Sequence, residues 1–579
     1  MDHLPAALAV GLLLLFMGYR WLLPNPIPGI PYNHDAARNL FGDLPAWTDY
    51  TKKTGEKLSW LPLQARKLNS PIIQIFVNPF NRPWVVITDF RESQDILLRR
   101  TKEFDRSDLL GNLFKGIGPD HHISMKTTNP QFKVHRKLIQ HLMTPGFLNQ
   151  VAAPRMYETF TELVDLWTQK ARLAEGRPFS ALDDFYRAAL DAIWAVTFPL
   201  NPEESIIHAE KRFLTGRTSS PGILKNALDA PVVFPEVPVP DAPNSILTLT
   251  ESLESIMLSP TPKLAFWILS KLPYMRKATA AKENMITTEL EKAKARFSSD
   301  SDSQETARCA MDDIMRRELA AAAREDREPA YNTRTVYDEL FGLLVAGHDT
   351  TSTTATWGLK LLSDHPEIQR KLRQAVRDGF SSAITELRPP TAEEIFKARI
   401  PYLDATLEEI VRKSMTAPGV SRTAMVDTVI LGHRIPKGTT VFLMGNGPDF
   451  IAPPIGTIPE ELRSKSCREA NGKIGAWDPV DSHLFKPERW IVVEDGKECF
   501  DSTSGPVLTF GLGPRGCFGR RMAYLELKIV FVLLLWNFEL QPVPGALSSY
   551  QAVDKLTHQP RFCYLRLLES SLEKEIDLL

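Results

Sequence analysis

The chain has 579 residues, 43% hydrophobic and 24% charged, which is ordinary globular material, enough for one large domain or several modules. Its 69 basic residues stand against 70 acidic ones, a formal net charge of -1, which argues against an electrostatically driven nucleic-acid binder and suits a small neutral ligand. The five cysteines, Cys309, Cys467, Cys499, Cys517 and Cys563, show no C-x-x-C spacing, so neither a disulfide framework nor a structural zinc site is indicated and a reducing compartment fits.

In chain order, Leu4 to Tyr19 carries no charge and Trp21-Leu22-Leu23 continues the apolar run past Arg20, whose stem can snorkel. As a helix this run is about 30 Å long, enough to span a bilayer. Residues 1–23 are therefore read as a retained anchor, with a cleavable signal peptide as the rival reading. Arg20, Arg38, Lys52, Lys53 and Lys57 follow it, which leaves the body of the protein in the cytosol. Residues 24–35 open on Pro24-Asn-Pro-Ile-Pro-Gly-Ile-Pro31, where alternate prolines remove amide donors, and predict a stiff, non-helical hinge. The runs from Pro71 and Pro83, split by Asn78-Pro-Phe-Asn81, predict a hairpin.

Gln131 to Met143 predicts a helix with a basic face, which by itself reads equally as a solvated cationic surface. Ser219 to Pro243 holds six prolines, with Val232-Val233-Phe234 expected to lie exposed among them in a surface loop. Tyr337 to Asp364 predicts one long helix, broken in character by Ala346-Gly-His-Asp-Thr-Thr351. Gly347 would let a flat ligand approach the backbone. The Thr350 hydroxyl is expected to bond the Ala346 carbonyl and open a polar notch. Tyr402 to Arg412 is an amphipathic helix that puts Glu409 and Arg412 on one face. Val420-Ser-Arg422 opens an extended segment, Ile435 to Val441 turns into a strand, and 446–481 is polar and turn-rich, a surface insertion.

Near the C-terminus, Phe510-Gly-Leu-Gly-Pro-Arg-Gly-Cys-Phe-Gly519 places one cysteine in a glycine-rich bend ahead of a helix running to about Trp536. Cys517 then sits at the positive end of that helix, where a thiolate is favoured and a metal ligand is expected. Met522 to Phe538 reads as a buried core helix, and Gln559-Pro560 turning into Arg561 to Leu565 predicts a terminal hairpin.

Phe510, Gly513, Arg515, Cys517 and Gly519 match every fixed position of F-x-x-G-x-R-x-C-x-G, and in this the chain resembles the cytochromes P-450. The resemblance extends to A-G-x-[DE]-T-T at Ala346–Thr351, to E-x-x-R at Glu409–Arg412 and to the Phe485–Trp490 run carrying Arg489. It implies a mainly helical α+β fold with small sheets behind an N-terminal transmembrane helix, residues 36–579 being one haem-thiolate catalytic domain. It further implies haem b (iron protoporphyrin IX) ligated by Cys517, with Phe510 packing beside the sulfur and Arg515, Arg136 and Arg422 directed at the propionates.

Thr350 would hydrogen-bond iron-bound dioxygen while Asp349 relays protons, and Glu409, Arg412 and Arg489 would form a structural network. The family's W-x-x-x-R appears here as Phe132 and Arg136, so the indole donor is missing, with His135 and Lys133 as candidates to replace it. The implied activity is monooxygenation of a lipophilic small molecule, with electrons from NADPH through a reductase, cytochrome b5 as a further partner, and the endoplasmic reticulum membrane as the site. Two loop insertions resemble those of filamentous-fungal members and point to specialised metabolism. The rival readings are an O2-independent haem-thiolate isomerase or dehydratase, and a haem-binding sensor or carrier.

Overall fold

The computed structural model describes residues 4–77, 82–216, 228–257, 259, 261–299 and 307–570. The turn expected at Asn78–Asn81 and the first part of the proline-rich stretch lie outside them. The chain divides into two compact units, the first made of Met1–Asp108, Ala417–Leu484 and Thr503–Gly516, the second of Leu109–Thr416, Phe485–Ser502 and Cys517–Leu579.

In the first unit, helix α1 covers Leu4–Leu22. Its side chains Leu12, Leu13, Leu14, Phe16 and Met17 are each more than half exposed, and Trp21 is 84% exposed. No helix among the described residues is long and apolar enough to cross a membrane. The proline segment that follows is non-helical, with a turn at Ile27–Ile30, and it is pinned down. Gln74 accepts from the Ile27 amide at 2.7 Å and donates to the carbonyls of Ile27 and Ile30 at 2.9 and 2.7 Å, while both isoleucines enter the core.

That core is built on a five-stranded sheet. Its strands are β1 (Ile72–Ile75), β2 (Trp84–Ile87), β3 (Phe104–Arg106), β4 (Gly419–Ala424) and β5 (Thr440–Met444). They lie in the order β1-β2-β5-β4-β3, with β2 and β5 parallel and the other pairs antiparallel. The expected first hairpin is β1–β2. A strand turns successive side chains to opposite faces, so Val85 and Ile87 fill one core while Val86 fills the other, and the β2 run is buried on both sides. This accounts for the continuous apolar reading of Trp84–Ile87 where an alternating one would have marked a half-exposed strand.

The 446–481 insertion has little regular structure, a single helical turn at Lys465–Glu469 and a 3₁₀ turn at Glu460–Leu462. It is nonetheless fixed. Arg463 donates both terminal nitrogens to the Asp89 carboxylate at 2.7 and 2.8 Å, and both side chains are buried. Asp89 also caps the helix Phe90–Leu98 by accepting the Glu92 amide at 2.7 Å.

The second unit is helical. Its frame comprises α2 (Pro130–Ile139), α3 (Ala153–Ala174), α4 (Leu182–Thr197), α5 (Asp241–Met257), α6 (Arg334–Asp364), α7 (Pro401–Ser414) and α8 (Arg520–Asn537). The long helix α6 begins at Thr333, whose hydroxyl accepts the Val336 amide, and packs against α4, α7 and α8. Helix α8 is buried from Leu525 to Trp536, as its all-round apolar sequence requires.

Two expectations fail here. Val232 and Phe234 are not exposed: the Val232 amide donates to Pro178 at 2.8 Å, and Phe234 packs edge-on against Phe179 at 5.9 Å beneath Lys170. The segment is extended, so only the alternate residue Val233 points outward, at 80% exposure. The terminal hairpin is likewise two separate pairings. Of the strands β6 (Phe538–Gln541), β7 (Ala552–Asp554), β8 (His558–Pro560) and β9 (Tyr564–Glu569), β8 pairs with β7 and β9 with β6. Between β8 and β9 the chain changes sheets through buried Cys563, whose carbonyl accepts the Ala181 amide at 2.8 Å.

Asp89→Ala should strand the Arg463 guanidinium and remove a helix cap, costing about 3–5 kcal/mol. Denaturant unfolding measures the loss, and limited proteolysis should then cut within 446–481, a segment resistant in the parent.

Candidate active site

Helix α6 is buried continuously from Thr351 to Ser363, yet Ala346 and Thr350, one turn apart on the same face, are exposed. A helix walled by protein thus opens over one turn. The Thr350 hydroxyl donates to the Ala346 carbonyl at 2.8 Å, the local bond that the threonine-rich sequence predicts. Gly347 has a different reason from the expected one. A side-chain carbon there would lie 2.5 Å from Ile193 Cγ1, so this glycine lets α4 come close to α6.

The next residue, His348, is fully buried and held neutral, its pKa lowered to about 4 by burial. It is hydrogen-bonded to the Leu344 carbonyl at 2.6 Å and to the Tyr186 hydroxyl at 3.1 Å. Asp349 is wholly buried and its Oδ1 accepts the Gln559 side-chain amide at 2.9 Å. Burial pushes its carboxyl up to about 6, against the opposing pull of the Thr557 hydroxyl, the Lys555 ammonium and the Gln559 amide.

In the cysteine loop, Gly513 has φ +69°, and a side chain there would meet the Leu97 carbonyl oxygen at 2.2 Å, so this position must be glycine. Phe510 and Arg515 are half-buried. In the second unit, Cys517 is exposed and the side-chain face of Gly519 has no atom within 4 Å. Desolvation raises the pKa of this thiol, against the Gly519 amide, Arg136 and Arg520, which favour the thiolate; ligation to a metal cation would favour the thiolate further.

The cations fall into two groups. In the first unit, Arg106 faces Arg422 across the β3–β4 register, an arrangement the sequence does not reveal. The Arg106 guanidinium is driven well below its usual pKa by burial and then by the charges of Arg515 and Arg422, against Asp105. Burial lowers Arg422 to about 10. Like charges opposed across a sheet are destabilising, so Arg106, Arg422 and Arg515 fit a ligand that brings carboxylates.

In the second unit, Arg136 lies over the rings of Phe132 and Phe518, at 5.9 and 4.9 Å from their centroids. Phe132 therefore supplies a cation–π surface in place of a hydrogen bond. Neither proposed substitute for the indole has turned to that role. Lys133 is exposed, and His135 is hydrogen-bonded to Glu339 Oε1 at 2.9 Å. The residue that reaches the rings is His122, 6.2 Å from both Phe132 and Phe518, with Nδ1 2.7 Å from Glu339 Oε2. Glu339 also accepts the His122 amide at 2.8 Å and stands 3.4 Å from His121 Nε2. Its carboxyl lies well below the usual range because these donors outweigh burial. The adjacent histidines of Pro119-Asp-His-His122 and the two acids Asp338-Glu339 at the head of an apolar helix wall are the available signals.

Glu409, Arg412 and Arg489 come together. Arg412 donates to both Glu409 oxygens at 2.8 and 2.7 Å, Arg489 at 3.2 Å, the Trp490 indole at 2.9 Å and the Lys486 amide at 2.9 Å.

Comparison with known proteins then gives a family. The family description Cytochrome P-450 matches residues 52–447 and 480–560, leaving out most of the 446–481 insertion. The chain is 40% identical to "Cytochrome P-450 monooxygenase TRI13" of Fusarium sporotrichioides, over 98% of this chain and 99% of that one. It is 36% identical to "Cytochrome P-450 monooxygenase GME11363" of Pestalotiopsis microspora over 97% of each, and 34% identical to "Cytochrome P-450 monooxygenase xilC" of Penicillium rubens over 98% and 97%.

Arg106→Leu should make the ligand-free protein more stable, because one of three mutually repelling cations is gone, yet release haem about tenfold faster, equivalent to ~1.4 kcal/mol. Thermal melts of apoprotein and haem transfer to an apo-globin acceptor read the two effects separately.

Proposed function

The chain belongs to the cytochrome P-450 family and is a haem-thiolate monooxygenase, and from that premise we propose that it inserts one oxygen atom of O2 into a lipophilic small molecule of specialised metabolism. Electrons come from NADPH through a separate reductase, with cytochrome b5 as a second donor. The complete cysteine signature Phe510–Gly519, with Cys517 accessible, is the observation that carries the reading. Full-length similarity to fungal monooxygenases supports the metabolic assignment.

When bound, haem supplies the oxygen-activating chemistry, and a cysteine thiolate pushes electron density onto iron and favours O–O cleavage. Cys517 is the residue to hold the iron; Arg106, Arg136, Arg422 and Arg515 are those to hold the haem carboxylates. Thr350 spends its hydroxyl proton on the Ala346 carbonyl, which leaves its oxygen lone pairs toward the open turn. Burial brings the Asp349 carboxyl up to about 6, near cellular pH, as a group that both takes up and gives a proton requires. Glu409 and its donors keep the Phe485–Trp490 segment in place and take no part in the chemistry.

The bare apolar face of α1 supports a membrane anchor at the endoplasmic reticulum with the body in the cytosol. Exposed Arg520 and Arg521 beside the cysteine loop support docking of an acidic redox partner.

The reduced protein with carbon monoxide should show the thiolate-type Soret band, and Cys517→Ser should abolish it; a parent without the band defeats the assignment. Thr350→Ala should keep the band while diverting most consumed O2 to hydrogen peroxide. Deleting residues 1–23 should move the protein from the carbonate-resistant membrane pellet to the supernatant, and retention in the pellet would refute the anchor.

A further inference from the structure

A cavity of about 520 Å³ lies within the first unit, between the 446–481 insertion and the helix Phe90–Leu98. That volume falls in the range of roughly 300–1,000 Å³ typical of small-molecule sites. Asp449, Arg463 and Trp477, which line it, all stand in the stretch that the family match leaves out, so the cavity lies outside the shared pattern.

Its apolar lining includes Ile455, Ile458, Ile474 and the buried ring of Trp477. The indole is fixed in place: Nε1 donates to the Pro506 carbonyl at 3.1 Å, and a side-chain carbon on Gly505 would lie 2.5 Å from the ring. The lining charges are matched, with one exception. Arg463 donates to Asp89, Arg91 reaches both Glu460 oxygens at 2.5 and 3.0 Å, and Arg99 Nε donates to Asp95 at 2.6 Å. Asp449 pairs with no cation among the described residues. Its Oδ2 accepts the Phe90 amide at 2.9 Å, and its Oδ1 accepts nothing. Burial and then the charge of Asp89 raise this carboxyl to about 6, against the Phe90 amide and Arg463.

We propose that the cavity binds a lipophilic ammonium cation, with its charge at Asp449 Oδ1 and its apolar part against the isoleucines and Trp477. A positive group supplies the countercharge that Asp449 lacks, and an aromatic wall attracts a cation further. An anionic ligand meets Asp449 while every lining arginine is already engaged, and a neutral one leaves that acid unmatched.

The test titrates benzyltrimethylammonium into the full-length haem-loaded protein by calorimetry; this quaternary ion has no lone pair to give to iron. The parent should bind it saturably. Asp449→Asn, which keeps an oxygen for the Phe90 amide, should weaken binding about tenfold. Ala476→Trp, at an exposed lining position, should fill the cavity and weaken binding at least as much. Thermal melts report whether each variant is folded; should Asp449→Asn fail to fold, Ala476→Trp decides. A parent without saturable binding, or a folded variant of either kind that binds as the parent does, overturns the proposal.

Discussion

An ionised group shut away from water must be met by opposite charge or by hydrogen-bond donors, and the architecture of this protein is largely the record of how that demand is met. Glu409 takes donors from two arginines, an indole and a backbone amide. Glu339 gathers three histidines and an amide from a loop and from α2. Each carboxylate ties distant chain segments to one helix, and removing either would leave several buried donors facing nothing. Asp89 does the same for a segment outside the family pattern, which explains how a stretch with almost no regular structure keeps a fixed position.

Arg106, Arg422 and Arg515 are a different case. Arg106 and Arg422 oppose each other in register with the charge of Arg515 added and Asp105 against them. That arrangement suits a ligand that brings carboxylates. Asp349 is the opposite case, an acid whose pKa desolvation lifts to about 6, close enough to cellular pH that proton transfer there costs little in either direction.

What the sequence disclosed depended on how local the physics is. The cysteine loop, the Thr350–Ala346 bond and the Glu409–Arg412 spacing are contained within a few residues, and all three read directly. Arg106 and Gln559 acquire meaning only from partners far along the chain and no local pattern marks them, while the adjacent histidines at His122 are a local signal whose partner, Glu339, is distant. Gly347 was read as room for a ligand because its neighbours in the motif are chemical, but its actual neighbour is Ile193 of α4. The Val232–Phe234 run looked exposed because prolines usually mean surface, yet an extended chain buries every second residue as readily as a strand does.

The hydroxyls on the second half of α6 have a consequence for how the protein is made. Thr353 is bonded to Thr557 and Asp349 to Gln559, while Cys517 also lies near the end of the chain. During translation α6 leaves the ribosome about 200 residues ahead of these partners, so its polar face stays unmatched over that interval. A chain shortened before Thr557 would therefore lack the partners that Thr353 and Asp349 have here, although helix α6 itself would be whole.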